Sequence, residues 1–342
     1  MNDHLDLLRE TTERLAHPER GILAADESEP TITKRFAALG IESTPETRRA
    51  WRSLLVTAPG AGDHLAGVIL FDETVGQATD DGAPMVEALA DRGMLAGIKV
   101  DRGTVTLPFT DGEKVSQGLD GLGERMADYF HRGLRFAKWR SIYAITATLP
   151  SSRAIRANAE ILARYAGHCQ AEGIVPIVEP EVLIDGDYTI ERSAEVTEAV
   201  LHAVFDALVA NGVLLEGMVL KPNMVVAGRA RGPEPPERVA EFTLRTFLRA
   251  VPAAVRTINF LSGGQTVAEA TANLDAINRA AAGRAPWQLS FSFARALQEP
   301  AMAAWGGEAA QREAAQAAFL GRLRQNGLAR QGAWDAAADD AA

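Results

Sequence analysis

Short apolar runs alternate with longer amphipathic stretches along most of the chain. Eight runs stand out: GILAAD (21–26), LAGVILFDE (65–73), LAGIKVD (95–101), FAKWRSIYAI (136–145), GIVPIVEPE (173–181), EGMVLKPN (216–223), TINFLSGGQ (257–265) and WQLSFSFAR (287–295). Between them lie patterns such as SSRAIRANAEILARYAGHCQAEG and SAEVTEAVLHAVFDALVANG. There apolar residues recur at three and four and a glycine ends the last turn, so these read as helices. The runs are near-continuously hydrophobic, as strands covered on both faces are. From run to run the spacing is about 30 to 45 residues, the length of a βα unit with modest loops. Eight such units predict an α/β fold, a closed (β/α)8 TIM barrel rather than an open sheet of fewer strands. Residues 1–20 read as an amphipathic N-terminal helix, and GPEPPE (232–237) as a rigid surface connection. No internal repeat or Ser/Gly linker divides the chain. Residues 1–330 are therefore expected to form a single barrel domain, and 331–342, ending WDAAADDAA, a flexible C-terminal tail.

Composition narrows the partners. With 47% hydrophobic and 23% charged residues among 342, the chain can bury a large core. The net charge of −10 and the lack of a basic tract argue against nucleic acid or an anionic membrane surface as partner. An anionic substrate must then be met by locally placed lysines and arginines. Cys169 is the single cysteine, which rules out an intrachain disulfide or a thiolate metal cluster and fits a reducing cytoplasm. On its helix, among apolar neighbours, it reads as buried and inert. No signal-type segment or run of ~18 apolar residues is present, so a soluble cytoplasmic protein is expected. The six histidines are scattered without ligand spacing, and no metal is expected.

The chemistry collects at the ends of the runs. Asp26, Asp72, Lys99 with Asp101, Lys138 with Arg140, Glu179 with Glu181, Lys221, Ser262 and Arg295 all fall at or near a C-terminal strand end. In a parallel barrel those ends share the face where sites are built, and residues two apart on a strand point the same way. A single strand-end charge is most simply a solvated loop residue or half of an ion pair, and several together can form a structural network. Lysines set inside apolar strands are not explained by packing. Lys221, in MVLKPNMVV, is the sharpest case. An amine among cations and apolar walls is pushed toward its neutral form, which adds to ketones to give an iminium. Lys138 and Arg140 are the cations expected to press on it, and Glu179 and Asp26 the candidate acid/base groups. LSGGQ after run seven and SFSFAR at run eight bring a serine hydroxyl, backbone amides and a guanidinium to where barrels commonly hold phosphate. Lys99, opposite, is placed for a second phosphate.

Taken together, GILAADES, GIKVDRG, FAKWR, ARYA…GIVPIVEPE, LEGMVLKPNM, FLSGGQ, SFSFARAL and AWGG resemble the class I fructose-1,6-bisphosphate aldolases over about residues 5 to 330. The resemblance implies a metal- and cofactor-independent carbon–carbon lyase of glycolysis and gluconeogenesis. It would cleave fructose 1,6-bisphosphate reversibly, through a lysine Schiff base, to glyceraldehyde 3-phosphate and dihydroxyacetone phosphate. It implies Lys221 as the Schiff-base lysine, Glu179 as acid/base for the carbinolamine, Lys138 beside it, Glu181 in support, and Asp26 as base for the C4 hydroxyl. Ser262, Gly263, Gly264, Ser292 and Arg295 would hold the C1 phosphate, and Ser28, Arg35, Lys99 and Arg140 the C6 end. Relatives are often homotetramers, so a homo-oligomer is implied as well. The alternatives are a Schiff-base aldolase of another sugar phosphate, which needs one phosphate pocket rather than two, and a barrel kept as a non-catalytic scaffold. Three departures stand against the family pattern. Ala294 replaces a glycine before the phosphate arginine, Glu29 and Pro30 replace the usual Thr-Gly after Ser28, and the C-terminal tyrosine of animal members is missing.

Overall fold

The structure, a computed structural model, describes residues 4–336. Eight parallel strands form a closed barrel: β1 (Gly21–Ala25), β2 (Leu65–Leu70), β3 (Leu95–Lys99), β6 (Phe136–Tyr143), β7 (Val175–Val182), β8 (Val219–Leu220), β9 (Thr257–Phe260) and β10 (Gln288–Phe293). Strands β4 (Thr104–Thr106) and β5 (Lys114–Ser116) make a separate antiparallel hairpin between β3 and β6. The hydrophobic pattern does not foretell that hairpin, because its strands are three residues long and β4 is exposed throughout.

Two apolar layers hold the barrel. Inside, Ile22, Ala24, Ala66, Ile69, Leu95, Phe136, Val175, Ile177 and Val219 fill the lower half, and Leu8 and Leu15 of the helix Leu5–Leu15 close it from below. Phe136 occupies the centre because its neighbours lack side chains: a Cβ on Gly97 would lie 2.2 Å from its ring and one on Gly67 2.8 Å. Outside, the outward strand residues pack against the ring of helices. Those helices start where the sequence offers oxygen caps, with capping boxes at Thr44/Thr47 and Thr266/Glu269 and side-chain caps at Ser151 and Thr189. They stop where a left-handed residue is needed, as at Gly173 and Gly212. Cys169 is fully buried with its Sγ 3.6 Å from Met126 Sδ, and burial pushes its thiol pKa up.

Of the tail expected to be flexible, residues 337–342 lie outside the described residues. The residues just before them hold contacts: Trp334 donates its backbone N–H to Asp275 Oδ1 at 3.0 Å and packs on the outer core. Among the described residues no helix is long and apolar enough to cross a membrane.

Because Phe136 plugs the interior, its loss leaves a hole that the closed barrel cannot collapse into. Phe136→Ala should lower the unfolding free energy by about 3–5 kcal/mol in urea titration. A loss under about 1 kcal/mol would show that the plug is dispensable.

Candidate active site

Strand periodicity places the charges. Successive inward positions run Ile22, Ala24, Asp26 along β1 and Leu95, Gly97, Lys99 along β3. On β6 they run Phe136, Lys138, Arg140, on β7 Val175, Ile177, Glu179, Glu181, and on β8 Val219, Lys221. Each set changes from apolar to charged at the same height, so the barrel has a dry lower half and a charged mouth. Parallel register fixes that height: Lys99 lies opposite Lys138, and Arg140 opposite Glu179.

The mouth is a cavity of about 260 Å³. It is lined by Asp26, Ser28, Arg35, Lys99, Lys138, Arg140, Glu179, Glu181, Lys221, Ser262, Gly263, Ser292 and Arg295, so of the residues to which the family resemblance gives a role only Gly264 is outside it, while the strand-end Asp72 and Asp101 do not line it. Gly264 faces a neighbouring hollow with Ile184 and Arg229. Its φ of +80° and the 1.9 Å that would separate a Cβ from Ile184 Cγ2 require glycine to turn the loop. Gly263 is confined differently, since a Cβ there would stand 2.8 Å from Glu181 Oε1. Asp72 is not in the mouth. It starts the short helix Asp72–Val75 after β2 and accepts a hydrogen bond from Tyr129 Oη at 2.7 Å.

A chain of alternating charges forms the floor. Lys138 Nζ lies 2.7 Å from Asp26 Oδ2 and 3.1 Å from Glu179 Oε2, while Glu179 Oε1 lies 3.1 Å from Lys221 Nζ. All four side chains are buried. The sequence predicts cations pressing on Lys221; the structure sets a carboxylate between the two lysine nitrogens. Burial alone would raise the Asp26 pKa, but Lys138, Lys221 and Lys99 together hold it well below its ordinary 3.8. Glu179 is likewise lowered, with burial opposed by Lys138, Lys221 and Arg140. Lys138 is raised despite burial, by Asp26, Glu179 and Asp101. Asp26 and Glu179 are thus carboxylates and Lys138 an ammonium at neutral pH.

Local backbone fixes Lys221. Its own N–H donates to Val178 O at 2.8 Å, but Pro222 has no N–H to continue the ladder, and β8 ends after two residues. Pro222 O accepts from Leu261 N at 3.0 Å, and Asn223 Oδ1 accepts from Val182 N at 2.7 Å, so the KPN segment stays pinned between β7 and β9.

Two polar ends flank the floor. At one, Ser262, Gly263 and Ser292 meet Arg295, which opens the helix Arg295–Trp305. Among the described residues Arg295 has no carboxylate partner and the buried Ser292 Oγ has no hydrogen-bond partner. The first N–H groups of a helix also lack intrahelical acceptors. At the other end each cation already has a counter-ion: Arg35 with Glu27, Lys99 with Asp101 at 3.5 Å, Arg140 with Glu181. Ser28 stands at the N-terminal boundary of the helix Glu29–Ala37 there, its Oγ on Thr31 Oγ1 at 3.1 Å rather than on a helix N–H. The Glu29 carboxylate does not line the cavity and lies 3.8 Å from Arg48. The Ala294 methyl does face it.

Sequence reading missed Glu27 and Thr31, both of which line the cavity. Strand alternation turns Glu27 away from Asp26, but β1 has already ended at Ala25 and the rule no longer applies. The available signal was Arg52, a charge on the apolar face of TRRAWRSLLV, which calls for a buried carboxylate partner. Among the described residues no group of three or more His, Cys, Asp or Glu side chains is arranged to hold a metal ion.

Comparison with known proteins gives the family. A sequence model of fructose-bisphosphate aldolase class-I matches residues 7–342. The chain is 52% identical to "Fructose-bisphosphate aldolase 6, cytosolic" of Arabidopsis thaliana, over 93% of this chain and 88% of that one. It is 46% identical to "Probable fructose-bisphosphate aldolase class 1" of Xanthomonas campestris pv. campestris, over 96% and 99%. Among solved structures it superposes on Plasmodium falciparum fructose-bisphosphate aldolase, crystallised with TRAP and a small-molecule inhibitor. There the TM-score is 0.95 and the identity 45%, covering 98% of this chain and 97% of the other.

The charge chain makes a signed prediction. In the wild type the depressed Asp26 pKa contributes stability above the unfolded-state value, and this is lost as pH falls through the folded one. Lys138→Met leaves Asp26 buried without its ion-pair partner, at a cost of about 3–5 kcal/mol. With its contacting cation gone, burial outweighs the remaining pull of Lys221 and Lys99 and raises the folded pKa above the unfolded one, so the stability contribution is lost as pH rises. The deficit relative to wild type should be larger at about pH 7 than at about pH 5 in urea unfolding. A deficit independent of pH would contradict it.

Proposed function

The chain belongs to the class-I fructose-bisphosphate aldolases, and on that footing we propose which of its residues cleave fructose 1,6-bisphosphate. Lys221 is the nucleophile, a reading carried by one observation: its Nζ stands on the barrel floor 3.1 Å from a buried carboxylate that a second lysine also holds. Glu179 accepts the proton that the amine must lose before it attacks the C2 carbonyl. The neutral carbinolamine nitrogen no longer helps to lower the Glu179 pKa, so Glu179 gains proton affinity and can deliver the proton that expels water. Lys138 stays an ammonium throughout and balances Glu179 and Asp26.

The iminium then draws electrons from the C3–C4 bond. Asp26, kept ionised by Lys138, takes the proton of the C4 hydroxyl as that bond breaks. Glyceraldehyde 3-phosphate leaves, the enamine is protonated at C3, and hydrolysis releases dihydroxyacetone phosphate. Glu181, paired with Arg140 and close to Gly263, supports the floor.

Ser262, Gly263, Ser292 and Arg295 receive the C1 phosphate, with Gly264 shaping the loop. Ser28, Arg35, Lys99 and Arg140 serve the C6 end. Support for two ends comes from cations on both sides of Lys221. The unpaired Arg295 attracts an anion more strongly than cations that already hold carboxylates. The same reading takes residues 1–330 as one catalytic barrel domain working in the cytoplasm, supported by relatives named cytosolic. By family resemblance it acts as a homo-oligomer, a homotetramer.

Borohydride added with dihydroxyacetone phosphate should trap a covalent adduct that peptide mapping assigns to Lys221. Lys221→Met should abolish it, and EDTA should leave cleavage unchanged. An adduct retained in that variant would move the nucleophile elsewhere, with Lys138 first in line.

A further inference from the structure

Behind Asp26 lies a buried polar cluster that the chemistry above does not use. Glu27 is 7% exposed, Arg52 2% and Gln298 0%. Arg52 Nε donates to Ala25 O at 2.7 Å, and its Nη2 donates to Glu27 Oε2 at 2.8 Å and to Glu27 O at 3.3 Å. Gln298 Nε2 donates to Ala24 O at 2.6 Å and to Glu27 Oε1 at 2.9 Å, and Gln298 Oε1 accepts from Trp51 Nε1 at 3.2 Å. The carbonyls on both sides of Asp26, at positions 24, 25 and 27, are therefore held by two side chains. The location is telling, because β1 ends at Ala25 and pairs with β10 only through Ile22 and Leu23. Where the ladder stops, Arg52 from the helix Pro45–Val56 and Gln298 from the helix Arg295–Trp305 take over its role.

Resting on the reading of Asp26 as the C4-hydroxyl base, we infer that Arg52 and Gln298, through Glu27, are positioning residues for Asp26. Their effect falls on carbon–carbon cleavage and not on Schiff-base formation. A carboxylate whose backbone is free to drift is displaced from the hydroxyl it must reach, and small displacements cost large factors in rate. Lysine at position 52 keeps the charge for Glu27 but loses the fork that spans Ala25 O and the carboxylate together.

Two variants test this. Arg52→Lys keeps the buried charge paired, and Gln298→Met keeps volume while removing the donor to Ala24 and Glu27; the second carries the test if the first fails to fold. In each, kcat for fructose 1,6-bisphosphate should fall about tenfold with KM within about twofold. Fructose 1-phosphate, which has no C6 phosphate, should show the same fall. The rate of borohydride trapping by dihydroxyacetone phosphate should match wild type, since that step does not need Asp26. On an Asp26→Asn background the further loss in kcat should be under about twofold. Losses that multiply in the double variant, a fall confined to the bisphosphate, which would implicate Arg35, or a parallel fall in trapping would each overturn the inference. Failure of wild type to trap at Lys221 would instead refute the function proposed above, and the two failures read out separately.

Discussion

Four buried charges in alternation, Asp26, Lys138, Glu179 and Lys221, set the terms for this barrel. Each alone would cost several kcal/mol to take out of water. Together they are tolerable only because every one touches an opposite sign within 3.1 Å. They come from four strands, so the arrangement exists only if β1, β6, β7 and β8 end at the same height in one closed ring. The proposed acid/base chemistry uses this constraint directly. A carboxylate between two ammonium groups changes its proton affinity when one of them becomes neutral.

The layers around the chain keep it dry below and fixed behind. Phe136 and its interior neighbours, closed from underneath by Leu8 and Leu15, exclude water from the lower half of the barrel. Low dielectric there strengthens the ion pairs and would make any orphaned charge more costly. The backbone is held by different means on different strands. Lys221 is gripped by the bond of its own N–H to Val178 O and by the bonds that Pro222 O and Asn223 Oδ1 accept just after it. Asp26, past the end of its ladder, is gripped by Arg52 and Gln298.

The two ends of the mouth are electrostatically unlike. One presents Arg295, free of carboxylates among the described residues, with a buried serine hydroxyl and a helix start. The other presents cations that are each already paired. Of the departures from the family pattern, Glu29 lies beside Arg48 outside the cavity and leaves the second end without an added negative charge. Ala294 does place a methyl in the mouth beside Arg295.

The eight strands, their parallel sense and the end of the barrel that carries chemistry were all legible in the sequence. Apolar runs of that spacing admit little else, and alternation along a run states which residues share a face. For the same reason Lys99, Lys138, Glu179 and Lys221 could be named from position alone. Alternation does not extend past a strand end, which is why Glu27 was overlooked and Asp72 credited with a place it does not have. Nor does it give distances between residues on different strands. That Glu179 lies between two lysines, that Gly264 turns its back on the cavity, and that Arg52 reaches the carbonyls beside Asp26 were decided by closure of the ring and packing of the helices on it. One-dimensional periodicity reports face and end, whereas which charges touch depends on register and twist that only the assembled barrel sets.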